Sequence, residues 1–141
     1  MLYWDSSALV ASLILEIDTD RVRACSESAG EMRAYTSILT PLEVESAVQR
    51  RLKEQSITLE QAKGARLLAA EFRRRTTLVT TDQNLLDTAL HLQKVYSLRP
   101  LDAVQLASAR VGTEDPSSVN FLCLDSRLNE AARQEGFSVL L

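Results

Sequence analysis

The chain of 141 residues is 45% hydrophobic and 25% charged, with 4 Gly and 3 Pro, which fits one ordinary soluble domain over residues 1–141 and excludes disordered and low-complexity classes. Its 16 basic and 19 acidic residues leave a formal charge of −3, which taken alone argues against a generic polyanion binder. The single histidine, His91, excludes chemistry needing two imidazoles, and the two distant cysteines, Cys25 and Cys123, read as reduced thiols rather than a disulfide or a zinc site.

The run MLYWD at 1–5, apolar and closed by an acid, predicts a strand, and SSALVASLILE behind it a helix. Within it ALVASLIL (8–15) is the longest apolar stretch, too short to span a bilayer. No basic segment precedes an apolar one at the start, so no export signal is read and the cytoplasm is expected. A second helix follows over 19–29, ending near Gly30, and a strand over 33–38. TPLEVESAVQRRLKEQ (40–55) is a helix with Leu42, Val44, Val48 and Leu52 on a broad apolar face, and 58–75 is another. A β-branched strand at 76–81 leads to a helix from Asp82 to Lys94 that carries His91 on its surface. SLRPLDAVQLASAR (97–110) predicts a helix that is small or apolar on nearly every side, yet Asp102 shares a stripe with Gln105, Leu106 and Ala109. A loop at 111–118, a buried strand at 119–125, a helix at 126–136 and a strand at 137–141 complete the chain. Strands that alternate with helices and run continuously apolar predict an α/β fold of three layers, α/β/α, around a central parallel sheet.

Ligands in such folds bind outside the carboxyl ends of the strands. Asp5 and Asp125 each close an apolar strand there, while Glu43 (TPLE) and Asp102 (RPLD) begin helices. Each has a plain alternative. Asp5 and Asp125 suit helix N-caps, Thr40 to Glu43 fits a capping box with proline at the first turn, and Asp102 suits a helix dipole. Asp82, in the same setting, is read as a cap alone. Several carboxylates at one edge repel one another unless a cation neutralises them. Oxygen-only ligands favour Mg²⁺ or Mn²⁺, which activates water and stabilises a phosphodiester's leaving oxygen without any histidine.

LYWDSSALV, TSILTPLEVESAVQRR, LRPLDAVQLASA and FLCLDSRLNEAARQEGFSVL, in that order over essentially the whole chain, resemble the PIN domain in its VapC-like toxin form. The resemblance implies a Mg²⁺- or Mn²⁺-dependent endoribonuclease acting on RNA, a homodimer, and an antitoxin protein whose tail covers the active site. It implies that the metal-binding catalytic acids are Asp5, Glu43, Asp102 and Asp125, with a supporting hydroxyl at Ser6 or Ser7. Ser6 stands where threonine is frequent. Glu43 is preferred to Glu45 because it falls in the first turn of its helix. Asn129, one turn beyond Asp125, is a candidate supporting group, with a helix-surface role as its alternative.

Two bound divalent cations would bring the formal charge to about +1. Arg99 and Arg127, beside the candidate acids, are expected to contact RNA phosphate, whereas Arg73 to Arg75 read as a solvated helix end. Aspartyl phosphotransfer is disfavoured, because Ser7 stands where a second acid would be needed and Lys53, Lys63 and Lys94 fall away from the edge. A PIN-like RNA-processing nuclease, or a scaffold that binds RNA or a partner without cutting, remains as the alternative function.

Overall fold

Leu2, Tyr3 and Trp4 send alternate side chains to opposite faces of one sheet, and each face meets its own core. The structure, a computed structural model, describes residues 1–30 and 32–141. In chain order the elements are β1 (Leu2–Trp4), α1 (Ser6–Leu13), α2 (Thr19–Ser28), β2 (Ala34–Ser37), α3 (Thr40–Lys53), α4 (Leu59–Arg75) and β3 (Thr77–Val79). Then come α5 (Gln83–Tyr96), α6 (Pro100–Val111), a 3₁₀ turn at Pro116–Ser118, β4 (Asn120–Leu122), α7 (Ser126–Gln134) and β5 (Ser138–Val139).

The five strands are ordered β3-β2-β1-β4-β5 and every pairing is parallel, with Tyr3 opposite Tyr35 on one side and Phe121 on the other. Leu2, Trp4 and Leu122 pack under α1 to α4 with Leu9, Val44 and Val48. Tyr3 and Phe121 pack under α5 to α7 with Leu85, Leu106 and Leu128. The predicted three-layer α/β/α architecture is therefore what forms. Tyr3 and Phe121 stack with ring centroids 5.2 Å apart and planes 10° apart, while Tyr35 meets Tyr3 edge-on at 5.1 Å.

The boundaries differ from the sequence expectation in ways that have local causes. The first helix stops at Leu13 rather than Glu16, because the Thr19 hydroxyl, fully buried, accepts from Glu16 N (2.8 Å) and donates to Ala11 O (2.7 Å), folding the chain back. The helix expected from Ser97 begins at Pro100: Ser97 adopts a left-handed φ of 54° that ends α5, and Leu98 tucks into the core. The strands are shorter than their apolar runs, so Asp5 and Asp125 stand just past the pairing. The 111–118 loop holds one 3₁₀ turn capped by Asp115, which accepts from Ser117 N (3.0 Å). Gly30 ends the α2 segment with φ 66°. Gly112 permits a close approach instead, since a Cβ there would lie 2.4 Å from Tyr35 Cε2.

His91 is exposed and both cysteines are free, as expected. Among the described residues no helix is long and apolar enough to cross a membrane.

Candidate active site

From β1 the chain moves to β2 on one side, and from β4 to β5 on the other, so the two central strands open a crevice at their carboxyl ends. Asp5 follows β1 and Asp125 follows β4. The first turns of α3 and α6 bring Glu43 and Asp102 to the same region.

Asp5 is buried, 4% exposed, and caps α1 with one oxygen: its Oδ2 accepts from Ser7 N (2.9 Å) and Ser7 Oγ (2.5 Å). Its Oδ1 accepts no hydrogen bond among the described residues. Ser7 Oγ in turn accepts from Leu124 N (3.0 Å), so one hydroxyl ties the end of β1 to the turn after β4. The Cys123 thiol makes the same connection. It donates to Asp5 Oδ2 at 3.4 Å, and its Sγ accepts from Asp125 N at 3.2 Å.

Glu43 does not close a capping box; the N-cap of α3 is Leu39, with no side-chain cap bond. Its carboxylate turns inward instead. Oε2 accepts from Ser6 Oγ (2.9 Å) and Oε1 from Gln105 Nε2 (2.6 Å). Gln105, 2% exposed, also donates to Thr40 Oγ1 (3.0 Å) and accepts from Tyr3 Oη (2.5 Å), so both ends of its amide are tied to a buried hydroxyl. Glu45 faces α4, in a two-pronged pair with Arg66 at 3.0 and 2.7 Å. The two adjacent acids of α3 thus have separate surroundings.

Asp102 likewise makes no cap bond; its Oδ2 accepts from Arg99 Nε at 2.9 Å. Asp125 caps α7 through Oδ1, which accepts from Leu128 N (2.8 Å), and takes Arg99 Nη2 at 3.1 Å on Oδ2. Arg99 therefore spans two of the acids. Arg127 is exposed in the first turn of α7, without an ion-pair partner among the described residues. Asn129 is buried rather than on the helix surface. Its Nδ2 donates to Cys123 O (3.0 Å) and Leu141 O (3.3 Å), and its Oδ1 is a buried acceptor with no partner. Asp82 caps α5, accepting from Leu85 N at 2.8 Å.

Burial pushes the Asp5 carboxyl up from its ordinary range, against the pull of Ser7 and Cys123, and the Asp102 charge pushes the same way. Burial also raises Glu43, opposed by Gln105 and Ser6 and reinforced by Asp5 and Asp102. Asp5 and Glu43 therefore both feel the charge of Asp102, and neither has a cation partner among the described residues. Among those residues no three His, Cys, Asp or Glu side chains are gathered closely enough to ligate one ion directly. The donor set is nonetheless that of a hard divalent ion. It consists of carboxylate and hydroxyl oxygens without imidazole, in a site where Asp5 and Glu43 have no compensating cation, and Mg²⁺ keeps several waters between itself and such ligands. The residues fit Mg²⁺ or Mn²⁺.

A groove of about 590 Å³ leads away from Ser6, Ser7 and Glu43 between α1 and α3 toward Arg50 and Arg51. Arg51 is paired with Glu16, and Arg74 with Glu71 at the solvated end of α4.

Sequence reasoning missed Gln105 and Cys123 as parts of the site. The signal for Gln105 was available: a lone amide on an otherwise apolar stripe, one turn beyond Asp102. Cys123 had a weaker signal, a small polarisable residue two positions before Asp125.

The model of the PIN domain matches residues 2–134. Two curated relatives are similar across the chain: Ribonuclease VapC35 of Mycobacterium tuberculosis strain CDC 1551 / Oshkosh, and the protein of the same name from strain ATCC 25618 / H37Rv. Each is 28% identical over 140 residues, covering 99% of this chain and 96% of the relative.

Proposed function

Since the chain belongs to the PIN domain family, we propose that residues 1–141 form one nuclease domain, a Mg²⁺- or Mn²⁺-dependent endoribonuclease that acts in the cytoplasm as the toxin of a toxin–antitoxin pair. The reading is supported by full-length similarity to proteins named as VapC ribonucleases and by the chemistry of the crevice. The single observation that carries it is the pair of carboxylates of Asp5 and Glu43, whose proton affinity is raised by burial and by the charge of Asp102, with no cation beside either.

When bound, the divalent ion supplies an activated water and charge stabilisation for the leaving oxygen of the phosphodiester. Asp5, Glu43, Asp102 and Asp125 would hold it, in part through the waters it keeps. Ser7 fixes the Asp5 carboxylate, Ser6 and Gln105 fix Glu43, and Asn129 anchors the backbone of Cys123 ahead of Asp125. Arg99 and Arg127 contact the RNA phosphates, and the groove beyond Glu43 receives the strand. The protein works as a homodimer, and its antitoxin masks the crevice.

Incubation of the purified protein with a single-stranded RNA tests the activity. Cleavage is expected with Mg²⁺ or Mn²⁺ and not in EDTA; full cleavage in EDTA would refute the metal-dependent reading. A neighbouring reading frame encoding a DNA-binding domain with an acidic or amphipathic tail is expected for the antitoxin, and light scattering reports the dimer.

A further inference from the structure

Arg99 is the one basic side chain among the described residues that is paired with the candidate metal-holding acids. Its backbone is extended (φ −67°, ψ 155°) at the head of α6, and the proline that follows fixes where that helix begins. The guanidinium reaches Asp102 through Nε and Asp125 through Nη2, in each case at Oδ2. Arg99 is 68% exposed, whereas the Asp102 and Asp125 side chains are 18% and 31% exposed. The cation therefore stands on the solvent side of the two carboxylates.

We propose that Arg99 is a resident counterion of the crevice: it shares its one positive charge between Asp102 and Asp125 while no metal is bound, is displaced from them by the divalent ion, and then turns to the RNA phosphate. The inference rests on the metal-dependent reading above and goes beyond it, because it makes metal entry and phosphate contact two positions of one side chain.

Three physical facts support the exchange. The two oxygens that Arg99 occupies are donors the ion needs, and a guanidinium beside a divalent cation is repelled by it. An ion pair this exposed is weak, so releasing it costs little. The freed guanidinium, planar and always charged, suits a phosphate in two-pronged geometry better than a second carboxylate contact in water. The exchange couples the ligands: metal strengthens RNA binding because it releases Arg99, and RNA strengthens metal binding by the same factor.

The test is calorimetric titration of Mn²⁺ into the wild-type protein, Arg99→Gln and Arg99→Lys without RNA, with denaturant unfolding to verify that each variant is folded. Arg99→Gln is expected to bind Mn²⁺ about three- to tenfold more tightly than wild type. Arg99→Lys, a point charge that cannot span both acids, is expected to fall between them. A single-stranded 2′-O-methyl RNA should bind wild type more tightly when Mn²⁺ is added, and Arg99→Gln with little or no such gain. Equal or weaker Mn²⁺ binding by Arg99→Gln overturns the counterion role while leaving the metal site standing. Absence of Mn²⁺ binding in all three proteins overturns the metal site itself, and the counterion role with it.

Discussion

Gln105 Nε2 stands 2.6 Å from Glu43 Oε1, and the orientation of that amide is set from behind by the Tyr3 hydroxyl, 2.5 Å from Gln105 Oε1. A carboxylate in the crevice is thus aimed by a phenol in the core. Tyr3 is fully buried and stacked on Phe121, so the aim derives from the packing of the sheet itself.

Replacing Gln105 with Leu removes the donor to Glu43 and strands the buried Tyr3 hydroxyl. Unpaired buried polar groups cost about 1–3 kcal/mol, so urea unfolding should show a loss in that range. Tyr3→Phe keeps the ring stack and frees the amide; it should cost about 1 kcal/mol. Both variants should also weaken Mn²⁺ binding, a readout that a purely structural role would leave unmoved.

The raised carboxyls of Asp5 and Glu43 give a signed pH dependence in EDTA. A carboxyl raised by folding contributes stability below its ordinary range, and that contribution is lost as pH rises through the folded value. The metal-free protein should therefore lose stability as pH rises above the ordinary carboxylate range and through the raised folded values of Asp5 and Glu43, on top of its other titrations. Asp5→Asn, which keeps a capping oxygen for Ser7 N, should flatten that slope, and Mn²⁺ should flatten it in wild type alone. Unfolding curves across this pH range decide the matter, and an unchanged slope in Asp5→Asn would remove the buried charge from the account.

Asp102→Asn separates two roles. Asp102 caps no backbone group and loses only an exposed pair with Arg99, so its stability in EDTA should change by less than about 1 kcal/mol. Its stabilisation by Mn²⁺ should disappear. A large loss of stability in EDTA would mean that the acid serves the helix.

Gly112→Ala probes the fold away from the crevice. The new Cβ would meet the Tyr35 ring at 2.4 Å, and that ring is held by its hydroxyl on Ala109 O at 2.9 Å. Overpacking of this kind costs about 1–3 kcal/mol, readable as a lower Tm. Tyr35→Leu in the same chain should recover part of it.

The layers of the fold were legible because a parallel sheet buries both faces, which leaves short continuous apolar runs such as LYW and FLCL alternating with amphipathic helical stretches. The acids were legible because Asp5 and Asp125 close such runs. Their bonding was not. Asp5 and Asp125 are caps and candidate ligands at once, each using one oxygen for its helix, a division that residue type cannot express. Gln105 looked like one position on an apolar stripe, since its partners Tyr3, Thr40 and Glu43 are 102, 65 and 62 residues away in the chain. For Asn129 the supporting and helix-surface roles stayed open, because the carbonyls it bonds, of Cys123 and Leu141, are brought to it only by the fold. Arg99 was read as a phosphate contact from its neighbourhood; that its guanidinium also spans Asp102 and Asp125 depends on where α6 begins.

The most direct test is the rate of RNA cleavage in Mn²⁺ by Asp5→Asn, Glu43→Gln, Asp102→Asn and Asp125→Asn beside wild type, each shown to be folded by its unfolding transition. A shared metal-holding role predicts that every one of the four loses cleavage by about a hundredfold or more. Wild-type rates in Asp5→Asn and Asp102→Asn would contradict it.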